Sequence, residues 1–265
     1  MNVLFPTDFS EPSKNALTYA ADLCKKGNYN LHVLSAYSMP YAERTFNSNS
    51  LLQAIKENAQ ENMAQFEAHV KSLDIPYTTE IAMGNPVRVI QEKSKSKQVA
   101  YLVMGTTGSS GIEEILLGSN AASVIQGVDK PVLVIPPQAG FKPMKRMVYC
   151  SELKALENEE TLQNLARFAS FYALHVDILH IQGEPGAKEG RAKLDQALAS
   201  VSHGYSVIKE QDLEKGVLDH ARETKADIIA SMGKRYGFFE RLFHTSLTNK
   251  LAFHSEMPLL ALHQH

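Results

Sequence analysis

The sequence predicts two α/β domains in tandem, each a mostly parallel sheet covered by helices on both faces. Three observations carry this. Short apolar stretches alternate with amphipathic ones along the chain. The apolar stretches are hydrophobic on both sides, as strands of a buried parallel sheet are. The second half repeats the pattern of the first. With 265 residues, each half is long enough to bury a core of its own.

The first half reads βαβαβαβαβ. Val3 to Phe5 is a short strand stopped at Pro6-Thr7-Asp8. Helical spacing follows from Glu11 to Lys26, through Ala16, Leu17, Ala20, Ala21 and Leu23, with Ser10 as N-cap and Pro12 in the first turn. A strand at Asn30–Tyr37, a long helix at Ser48–Ser72 and a strand at Tyr77–Ile81 come next. Gly84-Asn85-Pro86 turns into a helix reaching Lys95, and Ala100–Met104 is a near-continuous apolar strand. A helix at Ser119–Gln126 leads to a strand fenced by Pro131 and Pro136. Residues 137–144, PQAGFKPM, are rich in turn formers and join a domain at 1–138 to one at 145–265. In the second half, strands are expected at Met147–Cys150, His175–Ile181, Tyr205–Lys209, Asp227–Ser231 and Pro258–Leu262. Helices are expected at Glu159–Tyr172, Gly190–Val201 and Gly216–Thr224.

The repeat can be written out. The segment beginning at Val99, VAYLVMGTTGSSGIEEILLGSNAASVI, aligns without a gap on ADIIASMGKRYGFFERLFHTSLTNKLA, which begins at Ala226. The same offset lays Pro131-Val132-Leu133 over Pro258-Leu259-Leu260, and Val3 to Asp8 lies over Met147 to Glu152. One domain type is used twice.

Composition excludes several classes. The chain is 44% hydrophobic with a formal net charge of −2, which argues against disorder and against a nonspecific nucleic-acid binder. Lys93, Lys95 and Lys97 read as a solvated helix end. Cys24 and Cys150 are far apart and form no CxxC unit, so neither a disulfide framework nor a cysteine-built metal site is expected. Pro6 and Asp8 break the amino-terminal apolar stretch early, so no signal peptide or membrane span is read and the cytoplasm is the expected location.

The most informative stretch is Gly105-Thr106-Thr107-Gly108, then nine residues, then Gly118-Ser119. It follows directly on the strand ending at Met104. Glycine at the carboxyl end of a parallel strand lets backbone approach a ligand closely, and ligands of open α/β sheets sit at that edge. Gly118-Ser119 opens the next helix, where backbone N–H groups and the Ser119 hydroxyl suit phosphate oxygens. The glycines also suit tight loops alone. No GK[ST] follows, so this is not a Walker A loop, and the dinucleotide pattern GxGxxG is missing. Asp8 ends the first strand at the same sheet edge. Its carboxylate could accept from an adenine amino group or a ribose hydroxyl, and Asp8 or Ser10 could cap the first helix; both roles can hold. Ala36, near the end of the second strand, offers a small apolar wall for a base.

The motif G-2x-G-9x-G-[S/T], with PTDFS at the first strand and PVLVIP at the last, resembles the universal stress protein family, and the whole chain resembles a tandem member. The resemblance implies two Rossmann-like domains, each a five-stranded sheet of order 3-2-1-4-5 flanked by helices. One branch of that family binds ATP or a related adenine nucleotide and another does not. It implies that Asp8, beside Pro6 and Thr7, contacts adenosine and that Ala36 touches the base. Met104, Gly105 and Gly108 would flank the ribose and phosphates, and Gly118, Ser119 and the Asn120 backbone would form the phosphate turn. Mg2+ is a candidate companion on the phosphates. The second half departs from the pattern. Met232, Arg235 and Thr245 replace the three glycines, Glu152 replaces Asp8, and only Ser246 remains. Nucleotide is therefore expected in the first half only. The resemblance also implies pairing of the halves through their last strands as a pseudo-dimer, with a homodimer of the tandem and an unidentified protein partner as further candidates.

Other chemistry has weaker support. The second half is rich in histidine, including His175, His180, His203 and His220, yet HExxH is missing and no zinc spacing is formed. No G-x-S-x-G elbow and no dedicated base for hydrolysis stand out. The expected role is nucleotide-dependent regulation in stress. A slow ATPase or phosphotransferase, and a scaffold with no nucleotide, are the alternatives.

Overall fold

A computed structural model describes residues 1–38, 48–106, 119–151, 153, 159–181, 187–208, 213–233 and 257–263. The first half comprises β1 (Asn2–Pro6), α1 (Glu11–Gly27), β2 (Asn30–Tyr37), α2 (Ser48–Lys71), β3 (Tyr77–Met83), α3 (Pro86–Ser94), β4 (Val99–Gly105), α4 (Ser119–Gly127) and β5 (Val132–Ile135). The second comprises β6 (Arg146–Cys150), α5 (Glu159–Tyr172), β7 (His175–Ile181), α6 (Ala187–Ala197), β8 (His203–Ile208), α7 (Leu213–Glu223), β9 (Ile228–Gly233) and β10 (Leu259–His263).

The strands form one ten-stranded sheet in the order β3-β2-β1-β4-β5-β10-β9-β6-β7-β8. Pairing is parallel within each half, so each is a Rossmann-like unit of order 3-2-1-4-5. The halves meet where β5 pairs antiparallel with β10, Leu259 opposite Val134, Leu260 opposite Leu133 and Ala261 opposite Val132.

Ladder register repeats between the halves. Val3 pairs with Tyr101 as Met147 pairs with Ile228. Leu102 pairs with Val132 as Ile229 pairs with Leu259. The gapless sequence alignment is thus also a spatial one, and Met232 stands in β9 where Gly105 stands in β4.

Alternation along the strands sorts the core into two layers. On one side, Val3, Phe5, Tyr101 and Val103 pack with Leu17, Leu23 and Phe66 of α1 and α2. Their counterparts Met147, Tyr149, Ile228 and Ala230 pack with Leu165, Phe168 and Leu194 of α5 and α6 in the same continuous cluster. On the other side, Leu4, Leu34, Leu102 and Met104 meet Ile90, Val124 and Ile125 of α3 and α4. Val148 and Ile229 meet Val217 and Ala221 of α7 there.

Several boundaries differ from the sequence expectation. Strand β3 runs on to Met83, and β8 begins at His203. Helices α6 and α7 begin at Ala187 and Leu213, ahead of Gly190 and Gly216. Each glycine reads from sequence as a helix start, and each lies inside the helix on a buried face. At Gly190 the reason is contact, because a Cβ there would lie 2.0 Å from the Leu153 carbonyl oxygen. Helix ends follow local rules. Asn28 and Ala173 take left-handed φ of 52° and 50° just past α1 and α5.

The connection between halves is fastened at both ends. Asn15 Nδ2 donates to the carbonyls of Pro136 (3.4 Å) and Ala139 (2.9 Å), and Tyr19 Oη donates to that of Gly140 (3.0 Å). Asp227 Oδ2 accepts from the amides of Lys145 (2.8 Å) and Arg146 (3.0 Å), while Oδ1 lies 3.1 Å from Lys142 Nζ. Beside it, aromatic side chains of the first half meet α5: Tyr101 of β4 lies 6.1 Å from Phe168, and Tyr29, just past α1, lies 5.9 Å from Phe171.

Burial alone would raise the pKa of Asp227. The two amides and the Lys142 ammonium outweigh that and hold it below the ordinary carboxylate value. A depressed folded pKa stabilises above the unfolded value, about 3.9, and the benefit is lost as pH falls through the folded value. Asp227→Ala is expected to lower unfolding stability by about 2–3 kcal/mol at neutral pH, mainly through the two amides left without a charged acceptor. The gap between parent and mutant should shrink once pH falls below about 4. Urea unfolding across pH 3–7 checks this, and a constant gap would exclude Asp227 ionisation as the cause.

Candidate functional site

The carboxyl edge of the first half is organised by the turn between β1 and α1. Thr7 N donates to the Leu34 carbonyl (2.9 Å), which carries the β1 ladder one residue past Pro6. Thr7 is buried, and its Oγ1 accepts from Phe9 N (2.9 Å) and shares a 2.7 Å hydrogen bond with Ser13 Oγ. Phe9 has φ of 64°, an unusual state for a bulky side chain. Its ring packs edge-on against Phe66 of α2 at 5.7 Å.

Asp8 is exposed at the rim. Its Oδ1 accepts from Ser10 N (3.1 Å) and Ser10 Oγ (2.6 Å). Ser10 is the N-cap of α1, and its Oγ accepts from Ser13 N (3.4 Å). Asp8 therefore braces the helix cap while standing at the sheet edge.

Strand β4 brings the other wall. Met104 is buried against the α3–α4 side, and Gly105 pairs with Ile135. Thr106 N donates to the Ile135 carbonyl (3.1 Å). The Thr106 side chain is buried, and its hydroxyl has no hydrogen-bond partner among the described residues. Sequence reasoning missed Thr106 because it occupies an unspecified position of the glycine motif. Its isolation in a buried setting is visible only in three dimensions.

Ala36, next to last in β2, lies opposite Ala82 and is half-buried. Strand order β2-β1-β4 sets Ala36, the turn that carries Asp8 just past β1, and Gly105 side by side at one sheet edge. The chain runs from β1 outward to β2 through α1 and returns to β4 on the other side, so the gap between β1 and β4 is a topological switch point, where ligands of open α/β sheets sit. Of the remaining candidates, Ser119 and Asn120 open α4, with Asn120 exposed. Gly108 and Gly118 lie outside the described residues, as do Glu152, Arg235, Thr245 and Ser246.

The second half keeps the turn and changes the walls. Ser151 N donates to the Leu179 carbonyl (3.0 Å), Leu153 N donates to Ser151 Oγ (2.9 Å), and Leu153 has φ of 49°. Ile181, opposite Ile208, holds the place of Ala36, and Met232, opposite Leu262, holds that of Gly105.

Other polar groups are occupied structurally. Asp177 Oδ2 lies 2.6 Å from His220 Nε2 and accepts from Ser206 Oγ (3.1 Å). The carboxylate stands between hydroxyl and imidazole, the reverse of a base next to its nucleophile. Burial pushes the thiols of Cys24 and Cys150 up to about 12, far from reactive thiolates. Among the described residues, no group of three or more His, Cys, Asp or Glu is arranged for a metal, and no helix is long and apolar enough to cross a membrane.

The fold is that of a duplicated α/β protein, with Ala36 and Gly105 of the first half at register positions that Ile181 and Met232 take in the second. The chain belongs to the universal stress protein family, whose profile matches residues 1–136. A universal stress protein of Methanocaldococcus jannaschii is 30% identical over 136 residues, covering 50% of this chain and 80% of that protein. A second from the same organism is 27% identical over 150 residues, covering 50% and 93%. The crystal structure of a universal stress protein from Archaeoglobus fulgidus superposes with a TM-score of 0.77 at 17% identity, covering 100% of this chain and 98% of that one. That last likeness extends the fold assignment over both halves.

Proposed function

We propose that this chain is a nucleotide-dependent regulator of the stress response that holds one adenine nucleotide, ATP or a relative of it, in its first domain. The observation that carries this is the contrast at matched register positions. Both halves share the hydrogen-bonded turn at Thr7–Phe9 and Ser151–Leu153, yet the positions of Ala36 and Gly105 are taken by Ile181 and Met232 in the other copy. Small residues leave room for a base and for close backbone approach, which isoleucine and methionine at the matching positions are too large to offer.

Other features agree. Asp8 stands at the rim as an acceptor for an adenosine amino or hydroxyl group. Gly108, Gly118, Ser119 and the Asn120 backbone match the family's phosphate turn in sequence. The Thr106 hydroxyl, buried without a partner among the described residues, is suited to a ligand oxygen. Mg2+ would be held through the phosphates, as that ion commonly is. Residues 1–138 would form the nucleotide domain and 145–265 its degenerate copy, with the β5–β10 ladder making one chain the counterpart of a two-subunit assembly.

The test is to denature the purified full chain, identify released nucleotide by mass, and titrate emptied protein. One adenine nucleotide per chain is expected. Two equivalent sites, or binding that survives Gly105→Met and vanishes with changes at 145–265, would overturn the assignment.

A further inference from the structure

We infer that Phe9 is a positioning residue of the nucleotide site: its left-handed backbone, clamped by Phe66, sets how Asp8 is presented to the ligand. The inference rests on the nucleotide reading above and goes beyond it.

Phe9 has φ of 64°. For a bulky residue this state is unfavourable, and it persists only where the surroundings over-determine it; such outliers gather at ligand clamps. Here the surroundings are identifiable. The Phe9 amide is held by Thr7 Oγ1 at 2.9 Å, and that hydroxyl is held by Ser13 Oγ at 2.7 Å. The Phe9 ring meets Phe66 at 5.7 Å, and Phe66 in turn stacks on Phe5 of β1 at 6.2 Å. The turn is therefore gripped from β1, from α1 and from α2.

The grip has a geometric effect. Thr7 and Phe9 are drawn toward the protein, and Asp8 between them is left exposed at the rim. A change to extended backbone at Phe9 would redirect the chain entering α1. The Asp8–Ser10 bonds at 3.1 and 2.6 Å could not then keep their present direction.

The second half gives an internal control. Leu153 adopts φ of 49° with the same amide-to-hydroxyl bond, and it is clamped by a different helix, whose Gly190 lies against its carbonyl. The left-handed state thus accepts leucine when a helix holds it down.

The experiment uses the full chain, ATP as probe and calorimetry as readout. Phe9→Val, whose β-branched side chain resists left-handed φ, is expected to weaken ATP binding about tenfold. Phe9→Leu should restore affinity to within about threefold of the parent. The decisive comparison repeats Phe9→Val on an Asp8→Asn background. A residue acting through Asp8 adds less than about twofold there, whereas a purely structural one weakens both backgrounds equally. Equal losses, or no loss from Phe9→Val, would overturn the positioning role while leaving the nucleotide reading intact. A parent chain that binds no adenine nucleotide would overturn both. If Phe9→Val does not fold, Phe9→Ala carries the same cycle, with the same two outcomes deciding it.

Discussion

Gly190→Ala is expected to destabilise the protein by about 2–3 kcal/mol, although alanine is the better helix former. The added Cβ would sit 2.0 Å from the Leu153 carbonyl oxygen and 2.3 Å from its carbonyl carbon. Both are backbone atoms, and the Leu153 amide is tied to Ser151 Oγ. No side chain can swing aside, so α6 or the turn must move. Gly127→Ala is the matched control. There the nearest atom, at 1.9 Å, is the Gln91 amide nitrogen, the far end of a flexible side chain. That change should cost about 1 kcal/mol at most, chiefly the Gln91 bond to the Ser123 carbonyl. Urea midpoints for the two variants decide the matter. A Gly190→Ala midpoint at the parent value would mean that α6 does not rest on the Leu153 turn.

Gly105→Met is expected to abolish most nucleotide binding while leaving the fold nearly intact. Charge-assisted bonds from backbone to phosphate contribute roughly 1.5–3 kcal/mol each. Displacing two of them would cost about 3–6 kcal/mol, at least a hundredfold in affinity. The fold should tolerate methionine because the protein already carries one there. Met232 of β9 pairs with Leu262 of β10 as Gly105 of β4 pairs with Ile135 of β5. Calorimetry beside urea unfolding separates the two effects. Unchanged affinity would remove Gly105 from the site, and loss of folding would make the glycine a structural requirement of the strand end.

The strands were legible because apolar runs bounded by prolines and turn residues leave few alternatives, and the repeat fixed equivalent positions twice over. Ser10 was readable as a cap because its neighbours Pro12 and the following apolar spacing mark a helix start. The placing of Gly105 at the end of β4 follows from the glycine motif directly after an apolar strand, and that of Ala36 near the end of β2 from its strand pattern. What stayed hidden depends on contacts distant in sequence or contrary to local preference. Nothing local marks Phe9 for left-handed backbone, since the clamp comes from Phe66 on another helix. Asp227 reads as a strand residue, yet its partners are amides 82 and 81 residues away. From sequence Gly190 reads as a helix boundary because a glycine inside a short helix is locally unfavourable, and only the packing of α6 on the turn accounts for its interior place.

The antiparallel meeting of β5 and β10 has a directional consequence. Parallel strands within each half carry their carboxyl ends to one edge of the sheet, and reversal at the junction sends those edges to opposite ends of the molecule. An assembly of two identical subunits joined this way would show the same face at both ends and could be extended from either. This chain has Gly105 at one end and Met232 at the other, so it is polar, with a head and a tail.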